Sequence, residues 1–135
     1  MSVGPVATSQ HPGPGATIAI VEDQQAITEL LTAVLREAGF HAVQIRTLRD
    51  VVAEVQAARA DVVILDVMMP ELSGWDVLDL LRADDATREL PVIVTSAVYD
   101  RPGLHALPQG GPIRFHPKPF DIAALVDLVR ELTAG

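Results

Sequence analysis

No cysteine occurs anywhere in this chain. That excludes a disulfide framework and any thiolate metal site, and it fits a reducing, cytoplasmic setting. Aromatic residues make up only 4% of the sequence, so valine, leucine, isoleucine and alanine must build the core; with 49% apolar content there are enough of them. No run is long and apolar enough to span a bilayer, so no membrane partner is expected. The N-terminus lacks the charged start and apolar stretch of a signal peptide. Basic residues are outnumbered, and the formal charge is -8. This argues against direct nucleic-acid binding through a general electrostatic footprint, while leaving room for a partner with a basic patch. The length, 135 residues, suits one domain with a real core.

What is present is an alternation. Residues 1–16 are rich in Pro, Gly, Ser and Thr, bury too little to offset their ordering entropy, and read as a disordered tail. From Thr17 to about residue 134 short apolar runs alternate with helical stripes, and this is the expected domain. "TIAIV" is a buried strand. Ile27, Leu30, Leu31, Val34, Leu35 and Ala38 then recur at helical spacing, with Gly39 as a C-terminal stop. "HAVQI" is a second strand, and Thr47 suits an N-cap for a helix turning Leu48, Val51, Val52 and Val55 inward. "DVVILDV" reads as a strand covered on both faces. Ser73 and Asp76 have capping-box spacing before a helix through Val77, Leu78, Leu80 and Leu81. "PVIVTS" is a fourth strand, and "FDIAALVDLVREL" closes the chain as a helix capped by Asp121.

Strand–helix alternation of this kind implies an α/β fold with a parallel sheet and helices on both faces. Ligands in such sheets bind at the carboxyl ends of the strands. Glu22 and Asp23 follow the first strand, Asp66 ends the third, Thr95 and Ser96 end the fourth, and Lys118 follows the fifth. Clustered carboxylates repel and call for a hard cation. Mg2+ takes oxygen ligands and commonly shares a phosphate. A carboxylate beside it can act as a nucleophile and form an acyl phosphate. Lys118 and the hydroxyl of Ser96 are suitable partners for phosphoryl oxygens.

Four motifs, "VED" at 21–23, "LDVMMPELSG" at 65–74, "PVIVTSA" at 91–97 and "FHPKPF" at 115–120, give the chain a specific resemblance. It resembles the receiver (phospho-acceptor) domains of bacterial two-component response regulators, over nearly all of residues 17–132. The resemblance implies a flavodoxin-like, doubly wound five-stranded sheet in the order 2-1-3-4-5. It implies that Asp66 is phosphorylated, that Asp23 contacts Mg2+ directly, that Glu22 does so through water, and that the backbone carbonyl of Met68 is a further ligand. Ser96 falls at the switching hydroxyl, Phe115 at the switching aromatic, and Lys118 at the phosphate-binding lysine, with a cis peptide to Pro119. The implied partners are a sensor histidine kinase or histidine phosphotransfer protein upstream and an unspecified protein downstream. The chain would catalyse only its own phosphorylation and dephosphorylation.

Each assignment has a plainer rival. Glu22 and Asp23 could simply cap the helix that follows. Thr95 and Ser96 alternate faces, so only one reaches the rim, and Thr95 is expected to be satisfied inside the sheet. Asp84 and Asp85 are a decoy, since they precede the fourth strand and lie at the other end of the sheet. Met68 and Met69 suit local packing. Trp75 is expected to cover the start of its helix, and Gly74 to allow a tight turn. The four histidines show no metal-ligand spacing. Phe115 has no hydroxyl where many relatives carry tyrosine. Pro117 removes one donor from the last strand, which is tolerable at a sheet edge. Residues 98–114 are the largest departure, because their prolines and glycines leave a fourth helix that is short or irregular. The resemblance raises a homodimer through the fourth helix–fifth strand–fifth helix face. Ala124 and Asp127 stand where one large DNA-binding subfamily carries Glu and Arg, so that subfamily's dimer is not inferred.

Three functional classes are weighed. The first is a phosphorylated switch, either stand-alone without a DNA-binding domain, as Met1 and the tail suggest, or a receiver fragment of a larger regulator. The second is a phosphorylation-independent interaction module, against which the intact set of Asp23, Asp66, Ser96 and Lys118 counts. The third is a phosphatase or phosphotransferase with an aspartyl intermediate. That class needs a second acid near the nucleophile, commonly two residues on, where this chain has Met68.

Overall fold

The computed structural model describes residues 15–46, 50–66, 74–96, 113–117 and 121–134, with Ser96, Phe115 and Pro117 placed by their backbones alone. The described strands are β1 (Thr17–Val21), β2 (His41–Gln44), β3 (Val62–Asp66), β4 (Val92–Ser96) and β5 (Ile113–Pro117). The described helices are α1 (Gln25–Glu37), α2 (Val51–Ala58), α3 (Gly74–Ala83) and α4 (Ile122–Thr133). The strands form one sheet in the order β2-β1-β3-β4-β5, with every pair parallel. This is the doubly wound order that the family resemblance implies.

The all-apolar strands follow from burial on both faces. All five residues of β3 are buried. Ala19, Val21, Val63, Leu65, Val92 and Val94 point to one face and pack against α2 and α3 through Val51, Val55, Val77, Leu78 and Leu81. Ile18, Ile20, Val62, Ile64 and Ile93 point to the other and meet α1 and α4 through Leu31, Leu35, Leu125 and Val129. Burying a side chain of this class is worth about 1.5–3 kcal/mol, so the two clusters hold the sheet between its helices.

Helix ends agree with the sequence where they are described. Gly39 takes φ 99° after α1, and its N–H donates to the Arg36 carbonyl at 3.0 Å. The Asp121 carboxylate accepts from the Ala124 N–H at 3.1 Å, capping α4. Thr47 and Ser73, the other expected caps, lie outside the described residues, as does the expected fourth helix. Gly15 and Ala16, assigned by composition to the tail, already engage the fold. The Gly15 N–H donates to the Gly39 carbonyl at 2.7 Å, and Ala16 is buried. Residues 1–14 lie outside the described part.

Three expectations about individual positions are corrected. Leu30 and Leu80, counted among the apolar positions of their helices, are 45% and 44% exposed. Thr28 and Arg82 are buried instead. On α3 the buried set is Gly74, Val77, Leu78, Leu81 and Arg82. That is a regular i, i+3, i+4, i+7, i+8 face, which leaves position 80 pointing outward. Gly74 begins the helix rather than forming a tight turn. Trp75 beside it is partly buried against the α2–α3 cluster.

Arg82 closes the far end of the sheet. One of its guanidinium nitrogens donates to the carbonyls of Thr87, Arg88 and Leu90 at 3.3, 2.9 and 2.8 Å. Burial lowers its pKa from the usual arginine range, and nearby Glu89 opposes that shift. Thr87 completes the turn with a 2.6 Å hydrogen bond from its hydroxyl to the Leu81 carbonyl.

Candidate active site

The parallel register brings the carboxyl ends of the strands to one rim. Val21 pairs with Leu65, so Glu22 emerges beside Asp66. Asp66 pairs with Thr95, and Thr95 with His116, making one lateral row across β3, β4 and β5. Ser96 pairs with Pro117 one step further along. Lys118 is the next residue in the sequence, but it lies outside the described residues, as do Met68 and Pro119. Ser96 and Phe115 have their backbones at the expected strand positions.

The turn from β1 into α1 sets the acidic pair. Gln24 occupies the N-cap position and makes no side-chain cap hydrogen bond. The Glu22 carboxylate accepts from the Gln24 N–H at 3.1 Å. The Thr28 hydroxyl donates to the Glu22 carbonyl at 3.5 Å. Glu22 therefore does tie down the start of the helix, as the plainer reading allowed, but its carboxylate also has a second set of neighbours. Carboxylate oxygens of Glu22, Asp23 and Asp66 lie within 4.8 Å of one another. Glu22 and Asp66 are buried and Asp23 is exposed.

Two buried acids and one at the water's edge make an all-oxygen donor set with no histidine or cysteine in it. That chemistry fits a hard divalent cation such as Mg2+, which favours carboxylate and water and keeps part of its hydration shell. The arrangement also supplies a nucleophile, because Asp66 ends a strand whose every residue is buried and which therefore holds it rigidly.

The polar residues around this set sort as the alternation requires. Thr95 is buried, and its hydroxyl donates to the Leu65 carbonyl at 3.4 Å, so it is satisfied within the sheet. Asp84 and Asp85 lie before β4, at the opposite end. The Asp84 carboxylate accepts from the Ala86 N–H at 2.9 Å, and Asp85 pairs with Arg88 at 2.6 Å. Two residues near the site escaped the sequence reading. Thr28 holds the β1–α1 turn from the buried face of α1, and a polar residue on an otherwise apolar stripe was the available signal. His116 is buried in the same row as Asp66 and Thr95; its place between two apolar-side positions of β5 was the signal there.

Known proteins agree with this geometry. Residues 18–130 match the family model described as the response regulator receiver domain. The probable transcriptional regulatory protein TcrX of Mycobacterium tuberculosis is 34% identical over 123 residues, which cover 89% of this chain and 50% of TcrX. The chain thus spans about half the length of that relative. The polar-differentiation response regulator DivK of Brucella anthropi is 25% identical, with 84% of this chain and 93% of DivK covered. Among solved structures, the receiver domain of a sensor histidine kinase from Pseudomonas aeruginosa PAO1, crystallised with a magnesium ion in its active-site cleft, superposes with a TM-score of 0.77. It is 24% identical, and the match covers 90% of this chain and 99% of that domain. With the sheet order, the acidic rim and the family match in agreement, the chain belongs to the response regulator receiver domains of two-component signalling.

Proposed function

We propose that this chain is a phosphorylation switch in which Asp66 accepts a phosphoryl group from a histidine kinase or a histidine phosphotransfer protein. The observation that carries the reading is the buried Asp66 carboxylate within 4.8 Å of those of Glu22 and Asp23 at the carboxyl rim of the sheet. In the transfer, an Asp66 oxygen bonds to phosphorus as the phosphorus–nitrogen bond to the donor imidazole breaks. The charge on the phosphoryl oxygens must be neutralised, and positioning supplies most of the catalysis. A bound Mg2+ would supply charge neutralisation at those oxygens. Glu22, Asp23, Asp66 and the Met68 carbonyl would hold it, with Lys118 and Ser96 taking the remaining phosphoryl oxygens.

Switching then rests on new contacts. Moving a two-state equilibrium from 1:99 to 99:1 takes about 5.5 kcal/mol of differential binding. A hydrogen bond to a charged group contributes about 1.5–3 kcal/mol net. Ser96, Lys118 and one or two backbone amides supply enough, and Phe115 reports the change on the β5 side. The chain is not an enzyme on other substrates; it catalyses its own phosphorylation and dephosphorylation. Its output is a protein contact rather than direct nucleic-acid binding, given its charge of -8. The cytoplasm is the compartment where such kinases act. Among the described residues no helix is long and apolar enough to cross a membrane.

The test is phosphorylation with Mg2+ and a small acyl-phosphate donor, read on a phosphate-affinity gel. A shifted band in the wild type and none in Asp66→Asn supports the reading. No shifted band in either protein would put the constitutive interaction module in its place, and equal shifted bands would move the acceptor to another residue.

A further inference from the structure

Residues 22–24 are held by a ring of three hydrogen bonds that closes on Thr28. The Gln24 N–H donates to the Glu22 carboxylate at 3.1 Å. The Thr28 N–H donates to the Gln24 carbonyl at 3.1 Å. The Thr28 hydroxyl donates to the Glu22 carbonyl at 3.5 Å. The ring encloses the turn that carries Glu22 and Asp23, two of the three carboxylates on the rim. A buried threonine in a helix ordinarily satisfies its hydroxyl on its own helix, at a carbonyl three or four residues back. Thr133 does so in α4, donating to the carbonyls of Val129 and Arg130 at 2.9 and 3.3 Å. Thr28 is buried to the same degree, 2% exposed against 1% for Thr133. Its hydroxyl nevertheless reaches six residues back, past the start of α1, to Glu22. That bond adds nothing to the helix and acts on the turn.

The turn needs such a hold. Carboxylate oxygens of Glu22, Asp23 and Asp66 lie within 4.8 Å of one another, and in the cation-free protein like charges at that distance push apart. Asp66 ends a strand whose every residue is buried. The part able to yield is therefore the Glu22–Asp23 turn, whose second carboxylate is already exposed. A turn that swings outward must be drawn back when a cation binds. The apparent affinity then falls with the fraction of molecules in which the site is assembled.

We propose that Thr28 is a positioning residue for the cation site: acting through the Glu22 backbone, its hydroxyl holds the acidic turn in the assembled form and so sets the Mg2+ affinity of the switch. This rests on the cation reading of the rim given under the proposed function. The hydroxyl bond is long, so its share belongs at the lower end for a neutral hydrogen bond, about threefold in Kd. Because Thr28 acts on assembly of the site and not on the reacting atoms, its loss is felt when Mg2+ is scarce and disappears when Mg2+ saturates.

The probe is MgCl2, titrated into the full chain at constant ionic strength and followed by the NMR signals of the Gln24 and Thr28 amides. Thr28→Val, which keeps the side chain's shape, should raise the Mg2+ Kd about threefold, and Thr28→Ser should restore it. In Thr28→Val the Gln24 amide should exchange faster than in wild type in EDTA and return to the wild-type rate in saturating Mg2+. Phosphorylation by a small acyl-phosphate donor should need about threefold more Mg2+ to reach half its maximal rate, with the maximal rate itself kept. Thr133→Val removes a buried hydroxyl of the same kind from α4 and controls for lost stability; it should leave Mg2+ binding unchanged. A Thr28→Val protein with the wild-type Kd, no recovery in Thr28→Ser, or an equal loss in Thr133→Val would overturn the proposal while leaving the cation site in place. Absence of Mg2+ binding by the wild type would instead remove the cation site, and this inference with it.

Discussion

Replacing Asp66 by asparagine keeps the side chain's size and removes one charge from a cluster whose carboxylate oxygens lie within 4.8 Å of one another. At that separation Coulomb's law gives about 0.9 kcal/mol per pair in water and about 3.5 kcal/mol at an effective dielectric of 20. Asp66 takes part in two of the three pairs. Its partner Glu22 is 5% exposed and Asp66 itself 1%, so that pair belongs nearer the larger figure. Asp23 is exposed, and its pair belongs nearer the smaller one. Some of the gain is offset because asparagine accepts fewer hydrogen bonds than a carboxylate. A net stabilisation of about 1–3 kcal/mol is expected in EDTA, or roughly 4–12 °C in Tm for a domain of this size. Mg2+ should invert the comparison in part. A site with a Kd near 1 mM would stabilise the wild type by about 1.4 kcal/mol in 10 mM Mg2+, whereas the variant, short of one ligand charge, should gain little. Differential scanning calorimetry of both proteins in EDTA and in Mg2+, at matched ionic strength, reads all four values. If Asp66→Asn is no more stable than wild type in EDTA, or gains as much as wild type from Mg2+, the acidic cluster is not a strained cation site.

Three further outcomes are expected. Ser96→Ala should still be phosphorylated but should respond to it less, losing about 1.5–3 kcal/mol of switching energy; a variant that cannot be phosphorylated at all would contradict the assigned role, and phosphate-affinity gels with amide exchange separate the two. The phosphorylated protein should lose its phosphoryl group over minutes to hours, because Met68 and Val98, the residues two places after Asp66 and Ser96, are apolar and cannot orient an attacking water; a half-life of seconds without a phosphatase would count against this. Arg82→Met should cost about 3–5 kcal/mol by leaving the Thr87, Arg88 and Leu90 carbonyls without their donor, measured by urea denaturation, while phosphorylation of the folded fraction stays intact because Arg82 is at the end of the sheet away from Asp66.

What the sequence revealed and what it concealed divide along a physical line. The strands were legible because a parallel sheet covered on both faces favours apolar runs, and "VVILD" and "VIVTS" are short and rich in β-branched residues. The order of the sheet and the meeting of Glu22, Asp23 and Asp66 came from the family motifs and from the rule that parallel strands end on one rim. The faces of the helices were less legible. Leu30 and Leu80 are apolar, yet they point outward, while Thr28 and Arg82 point inward. Hydropathy ranks a side chain by its transfer cost alone, but a polar group can be buried cheaply where the fold presents a matching partner. For Thr28 that partner is the Glu22 carbonyl; for Arg82 it is a turn of carbonyls that exists only once β4 is in place. These partners are close in sequence, six residues away for Thr28 and five to eight for Arg82, but only the folded turn points their carbonyls at the side chain. The same reasoning explains why the rim was easier to find than the helix faces. Its residues are conspicuous as charges at the ends of apolar runs, where burial without a purpose would be costly, whereas Thr28 and Arg82 lie inside helices in which polar residues are ordinary.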